Sequence, residues 1–233
     1  MITLHHCPGT RSMRTLWLLN ELGVPFELRS YPFDKTLRSP EFLLLSPAGR
    51  VPALEIDGQA MFETGAIAEY LCERFPDAGL GRAPGDLDRM DFLTWIHFAE
   101  TISVSCAVLT QQHIVIRDDA QRSTFLMNLE ARRLAKSIAG VEGRLSTPVE
   151  NRECLLTSGF SAADIGVGHA VWMARHFVKL DPFPETAAWL DRLMERPAFK
   201  ASAPSPEDTL WPEPFYAPWP DPAFAPRKGQ GAS

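Results

Sequence analysis

The spacing of apolar residues changes several times along the chain. A short apolar run at residues 2–6 predicts a strand. Over residues 12–22, Leu16, Leu19 and Leu22 recur at helical spacing, and Gly23 supplies a stop. Residues 26–30 predict a second strand. A strand, a helix and a strand so close together predict a βαβ unit with parallel strands. Residues 40–45 predict a short helix or turn, and Ser46-Pro47-Ala48-Gly49 a loop. Strands at 53–56 and 60–62 flank Asp57-Gly58, a hairpin signal. Thr64 then opens a helix over 65–74, with Ile67, Tyr70 and Leu71 on one face.

This order, βαβ followed by ββα, is that of a thioredoxin-like α/β domain over residues 1–77. Residues 78–88 are rich in Gly and Pro and predict a linker. Residues 89–200 carry helical periodicity, predicting an all-α domain with helices over 86–116, 120–145, 162–177 and 185–195 and a short one after Pro197. In the tail, 201–233, eight prolines between 204 and 226 punctuate Trp211, Phe215, Tyr216, Trp219 and Phe224. That composition excludes a helix and predicts an extended strap with a flexible end over 227–233.

Composition narrows the function classes. The chain has 233 residues, 45% apolar and 22% charged, with a net charge of −6. The acidic balance argues against nucleic acid or an anionic membrane as partner. No apolar run approaches the ~18 residues of a transmembrane helix, and the N-terminus does not resemble a signal peptide. Cys7, Cys72, Cys106 and Cys154 are scattered, which predicts neither disulfides nor a metal site and suits a reducing cytoplasm.

Four motifs carry candidate chemistry. Thr10-Arg11-Ser12 puts hydroxyls at a strand-to-helix junction, where free N–H groups and the helix dipole favour an anion. Val51-Pro52 is either a trans proline at a strand start or a cis bond that frees the Val51 backbone to pair with an extended peptide. Thr64 is either an N-cap or, with Glu63, a pair for a carboxylate and an ammonium group. Cys7 is either a buried small residue or a nucleophile near a helix N-terminus. Ser161 and Asp164, flanked by Phe160 and Ile165, form a capping box with its staple, a structural motif. His5 and His6 end the first strand, either packed or facing a pocket. His97, Glu100, Gln111, Gln112 and His113 are either pocket-lining or solvated.

In register, these motifs resemble the cytosolic glutathione transferases, in the branch with a Ser or Thr activator. Residues 8–14 look like P-G-S-R-S-x-R, residues 46–54 like N-P-x-G-K-V-P-x-L, and residues 63–71 like E-S-x-A-I-x-x-Y-L. Residues 160–164 resemble the family's folding motif, and residues 187–192 with 196–199 its closing helices. The resemblance implies glutathione as co-substrate, conjugated to a small hydrophobic electrophile; no histidine or carboxylate spacing suggests a metal. Thr10 would donate to the sulfur, helped by N–H groups near Arg11 and Ser12. Val51, beside Pro52, would pair with the cysteinyl backbone, Glu63 and Thr64 would hold the γ-glutamyl end, and Arg50 a carboxylate. A free thiol has a pKa of about 8.5, and lowering it by ~2 units takes about 2.7 kcal/mol. One charge-assisted hydrogen bond plus a helix terminus supplies that.

Thr10 and Thr64 stand where the branch usually has Ser. Two other functions compete: thiol–disulfide exchange through Cys7, and a non-catalytic binding or assembly module. The resemblance further implies a homodimer in which Glu100 reaches the partner's glutathione. The tail aromatics are expected to cover the electrophile pocket or the adjacent surface.

Overall fold

The computed structural model describes residues 1–147, 153–211 and 213–219. Its sheet has the order β2-β1-β3-β4, built from β1 (Ile2–His6), β2 (Glu27–Ser30), β3 (Ala53–Ile56) and β4 (Gln59–Phe62). β1 runs parallel to β2 and antiparallel to β3, and β3 and β4 form the expected hairpin. Around the sheet lie α1 (Met13–Leu22), α2 (Pro40–Leu45) and α3 (Thr64–Arg74).

Strand alternation sorts the side chains. Ile2, Leu4, Leu54 and Ile56 join the large core with α1 and α3, whereas Ala53 packs with Leu37 and Phe42 on the α2 side. The same alternation separates the two histidines. His5 meets Tyr31 Oη at 2.8 Å and Glu55 Oε1 at 2.8 Å, while His6 meets Ser12 Oγ at the start of α1.

The helical part comprises α4 (Arg89–Thr110), α5 (Thr124–Ser146), α6 (Ala162–Ala174), α7 (Pro184–Met194) and α8 (Pro197–Ser202). α4 ends in a π-turn at Gln111–Val115, and α5 starts later than expected because Ser123 caps it, accepting from Leu126 N–H at 3.2 Å. α6 stops at Ala174, short of residue 177. α4 with its extension (Arg89–Val115) is long and apolar enough to cross a membrane by length and composition alone; here it packs against α5 and α6.

α6 is buried on every side. A Cβ at Gly168 would lie 2.6 Å from Leu193 Cδ1, so any larger residue there forces the Leu193 side chain to shift. The capping box is present: Asp164 accepts from Ser161 N–H at 3.0 Å, and Ser161 Oγ accepts from Ala163 N–H at 3.2 Å.

Among the described residues of the strap after α8, the one helical turn is at Pro206–Asp208. Its aromatics seat on the helical part: Trp211 stacks on His176 at 5.2 Å and Phe215 on His113 at 4.6 Å. Asn128 clamps Trp219, its amide donating to the Trp219 carbonyl at 2.8 Å and its Oδ1 accepting from Trp219 N–H at 3.0 Å. Burial holds both histidines down to about 4, with Arg122 beside His113 and Arg175 beside His176 acting in the same direction, so neutral rings meet the aromatics. Pro212, Pro220, Pro222, Phe224, Pro226 and the expected flexible end at 227–233 lie outside the described residues.

Candidate active site

The turn from β1 into α1 is made by Cys7–Pro8–Gly9–Thr10. Gly9 has φ of 70°, and a Cβ there would meet Leu210 of the strap at 3.3 Å. Thr10 N–H donates to Cys7 O at 3.3 Å, closing the turn. Ser12 stands at the N-cap of α1 but makes no side-chain cap. Its Oγ turns back and accepts from Cys7 N–H at 3.1 Å, lies 2.8 Å from His6 Nδ1, and lies 2.9 Å from Thr10 Oγ1. Thr10 Oγ1 donates to Cys7 O at 2.8 Å. Ser12 is fully buried, whereas Thr10 is partly open.

Cys7 is 1% exposed. Burial pushes its thiol up to about 11, and Asp34 and Asp208 push the same way. A nucleophilic cysteine needs the reverse environment.

A groove beside this turn is lined by Arg11, Arg50, Val51, Pro52, Glu63, Thr64 and Glu100, together with Ser46, Ala48 and Phe62. It therefore gathers residues from the turn before α1, the loop before β3, the end of β4, the start of α3 and α4. The Val51–Pro52 bond is cis. Glu63 has φ of 77° and forms the N-cap of α3 without a side-chain cap. Thr64 is the first helical residue, not the expected cap. Its Oγ1 donates to Glu100 Oε1 at 3.1 Å and accepts from Arg14 Nη1 at 3.2 Å.

Glu100 turns into the groove of its own chain. Arg11 Nη1 donates to its Oε2 at 2.7 Å, and Arg14 Nη1 donates to its Oε1. Burial opposes ionisation of Glu100, but Arg14 and Arg11 outweigh it and hold the carboxyl below the ordinary range. The nearly buried Arg14 also donates to Ser103 Oγ, to Ala99 O at 3.2 Å and, through Nε, to His169 Nδ1 at 3.3 Å. Because His169 Nδ1 accepts, the neutral ring carries its proton on Nε2. Burial, then Arg14, drives the His169 pKa well below its usual value.

Sequence reasoning gave Arg14, the last residue of the 8–14 motif, no role of its own, and did not single out His169, whose only signal was a titratable residue inside an otherwise apolar helix. His97, Gln112 and His113, weighed as pocket-lining, serve elsewhere. His97 meets Glu69 Oε1 at 2.9 Å, Gln112 Oε1 accepts from Ser123 N–H at 2.7 Å, and His113 packs against the strap.

Across the turn lies a second, open cleft of 550 Å³ between Cys7, Pro8, Tyr31, Phe33 and strap residues Glu207 to Leu210. The strap thus contributes polar and aliphatic residues here, and its aromatics Trp211 and Phe215 pack further along the helical part. Among the described residues no group of His, Cys, Asp and Glu is arranged to hold a metal.

Fold and site together define a thioredoxin-like protein with a helical companion, a polar groove and an anion-ready turn. Residues 4–79 match the family model of the glutathione S-transferase N-terminal domain, and residues 109–197 that of the C-terminal domain. Glutathione S-transferase 3 of Schizosaccharomyces pombe is 26% identical over 225 residues, spanning 89% of this chain and 89% of its own. Protein LigF of Sphingobium sp. is 27% identical over 232 residues, spanning 83% of this chain and 89% of its own. The crystal structure of a glutathione transferase from Methylococcus capsulatus matches with a TM-score of 0.71 at 25% identity, covering 87% of this chain and 97% of that one. A sphingomonad glutathione S-transferase solved with glutathione matches in fold, with a TM-score of 0.70 at 24% identity, covering 86% of this chain and 96% of that one. The chain belongs to the glutathione S-transferase family and is a glutathione transferase.

Proposed function

We propose that this enzyme binds glutathione in the groove and conjugates its thiolate to a small hydrophobic electrophile held in the open cleft across the turn. The observation that carries the reading is convergence: the seven residues assigned to glutathione line one groove, which adjoins the turn bearing Thr10.

In this reading Val51 pairs its backbone with the cysteinyl unit and Arg50 meets a carboxylate. Glu63 takes the ammonium of the γ-glutamyl end, and Thr64 its carboxylate. Glu100, within its own chain, keeps Arg11 and Arg14 in place rather than reaching a partner's glutathione. The sulfur lies at Thr10. Its hydroxyl turns from Cys7 O to the sulfur at low cost, because Cys7 O keeps the Thr10 N–H. Ser12 serves behind it. A hydrogen bond to a charged acceptor contributes ~1.5–3 kcal/mol, enough with the α1 terminus to bring the thiol near neutrality. The apolar rings of Tyr31 and Phe33 suit an aromatic or aliphatic electrophile.

Removal of reactive electrophiles in the cytosol, a division into two units within residues 78–88, and a homodimer complete the reading. Exposed Phe62, Tyr70, Met90 and Val104 support the dimer. The decisive experiment titrates the bound thiol by its ultraviolet thiolate absorbance. Thr10→Val is expected to raise its pKa by about one unit or more and to lower turnover about tenfold near neutral pH. Cys7→Ser is expected to leave both unchanged; loss of activity in Cys7→Ser with retention in Thr10→Val refutes the assignment.

A further inference from the structure

His6 is buried, lies next to the chemistry and is not used by the mechanism above. It ends β1 on the face turned to α1, and its Nδ1 sits 2.8 Å from Ser12 Oγ. Ser12 in turn sits 2.9 Å from Thr10 Oγ1, so one hydrogen-bonded line runs from the imidazole to the hydroxyl of the partly open Thr10.

Proton counting along this line has a consequence. A serine hydroxyl has one proton and two lone pairs. Cys7 N–H already donates to Ser12 Oγ at 3.1 Å. With a bare His6 Nδ1, the Ser12 proton goes to the imidazole, which leaves an open lone pair on Ser12. Ser12 is then an acceptor for the Thr10 proton beside Cys7 O, and it competes with any sulfur. With a protonated Nδ1, His6 and Cys7 fill both lone pairs of Ser12. The single Ser12 proton goes forward to Thr10 Oγ1 or to Cys7 O, and the Thr10 proton has no acceptor at Ser12. It goes to Cys7 O in the empty site and to a sulfur when one arrives.

We propose that His6 is a positioning residue for the thiolate: it donates through Nδ1 to Ser12 and so directs the Thr10 hydroxyl outward to the sulfur. This rests on Thr10 being the donor. His6 does not take the thiol proton. Burial lowers its pKa to about 4, against the opposing effects of Ser12 and Asp208, so the ring is neutral and holds no second proton. The ionisable groups around it are Asp208 on the strap and His169 on α6, the latter also held neutral.

The test combines tautomer and titration. Nitrogen NMR of the full-length protein is expected to show His6 protonated on Nδ1, with that signal moving when glutathione binds but not when S-methylglutathione binds. A proton on Nε2 with a bare Nδ1 overturns the proposal. In parallel, the bound thiol is titrated and turnover followed with a chlorodinitrobenzene electrophile. His6→Leu is expected to raise the thiol pKa and to lower turnover about threefold to tenfold below that pKa, recovering at high pH, with the glutathione KM unchanged. His6→Asn, which keeps an amide donor near the Nδ1 position, is expected to restore most of the effect. If Thr10→Val raises the pKa and His6→Leu does not, the His6 role fails and the Thr10 assignment stands. If Thr10→Val itself changes nothing, both fail. Should His6→Leu not fold, the tautomer and the His6→Asn titration decide.

Discussion

Glu63 holds φ at 77°, a region a residue with a side chain adopts at a cost of order 1–3 kcal/mol. Thr64 next to it is engaged with Glu100 and Arg14, so the junction is held in place from two sides. Strain kept at a groove-lining position points to a use for the side chain. Glu63→Gly removes both the strain and the carboxylate. The expected result is a thermal midpoint equal to or above that of the parent and weaker glutathione binding, measured by calorimetric scanning and by titration. A lower midpoint with unchanged affinity would assign Glu63 to stability instead. Residues of this kind were legible in the sequence as local motifs: Thr10, Val51-Pro52 and Glu63-Thr64 each sit beside a turn or helix start. The strain was not legible, because backbone dihedrals at a helix start depend on what the neighbouring α4 presents.

Among the elements, α6 shows both what periodicity reveals and what it hides. Its capping box reads directly from Ser161 and Asp164. Its complete burial does not, since a helix enclosed by α4, α1 and α7 has no polar face to supply a period. His169 was missed for the same reason: it is a polar residue on an enclosed helix, met at Nδ1 by Arg14. Arg14 was visible as the last residue of the 8–14 motif, but its partners Glu100, Ser103 and His169 lie far away in sequence. Asp164 is the critical group of α6. It accepts from Leu155 N–H at 2.8 Å, Ser161 N–H at 3.0 Å and Trp189 Nε1 at 3.3 Å. Asp164→Ala strands these donors and is expected to cost about 2–4 kcal/mol in denaturant unfolding.

Burial raises the Asp164 pKa to about 6, against the donors that lower it. The folded chain therefore binds a proton that the unfolded chain, titrating near the ordinary Asp value of about 4, has lost. This contribution is fully present below about pH 4 and fades as pH rises through 6, falling by roughly 3 kcal/mol across that window. Unfolding midpoints measured between those limits, in the parent and in Asp164→Asn, are expected to show this slope only in the parent.

For the whole molecule, the strap binds the two parts of the chemistry together. Its first stretch walls the open cleft at Glu207 to Leu210, packs on Gly9, and then buries Trp211 against His176. Truncation after Ser202 removes all of this. Exposing the Trp211 seat costs about 2–3 kcal/mol, which in a chain of this size lowers the thermal midpoint by several degrees. The glutathione KM is expected to hold, because the groove lies on the other side of the turn, while the KM for electrophiles shifts. An unchanged midpoint and substrate range would remove the strap from both roles. The tail's composition foretold an extended path. It did not foretell which surface receives the aromatics, since that depends on a π-turn that presents His113 at the end of α4.

That seating gives the protein a built-in optical gauge. Trp211 and Trp219 rest against imidazoles, and imidazole rings alter indole emission differently when neutral, protonated or withdrawn. The same strap forms one wall of the cleft where the second substrate is expected. Intrinsic fluorescence can therefore follow strap movement during electrophile binding in real time, without a label, and Trp211→Phe and Trp219→Phe separate the signals of its two anchor points.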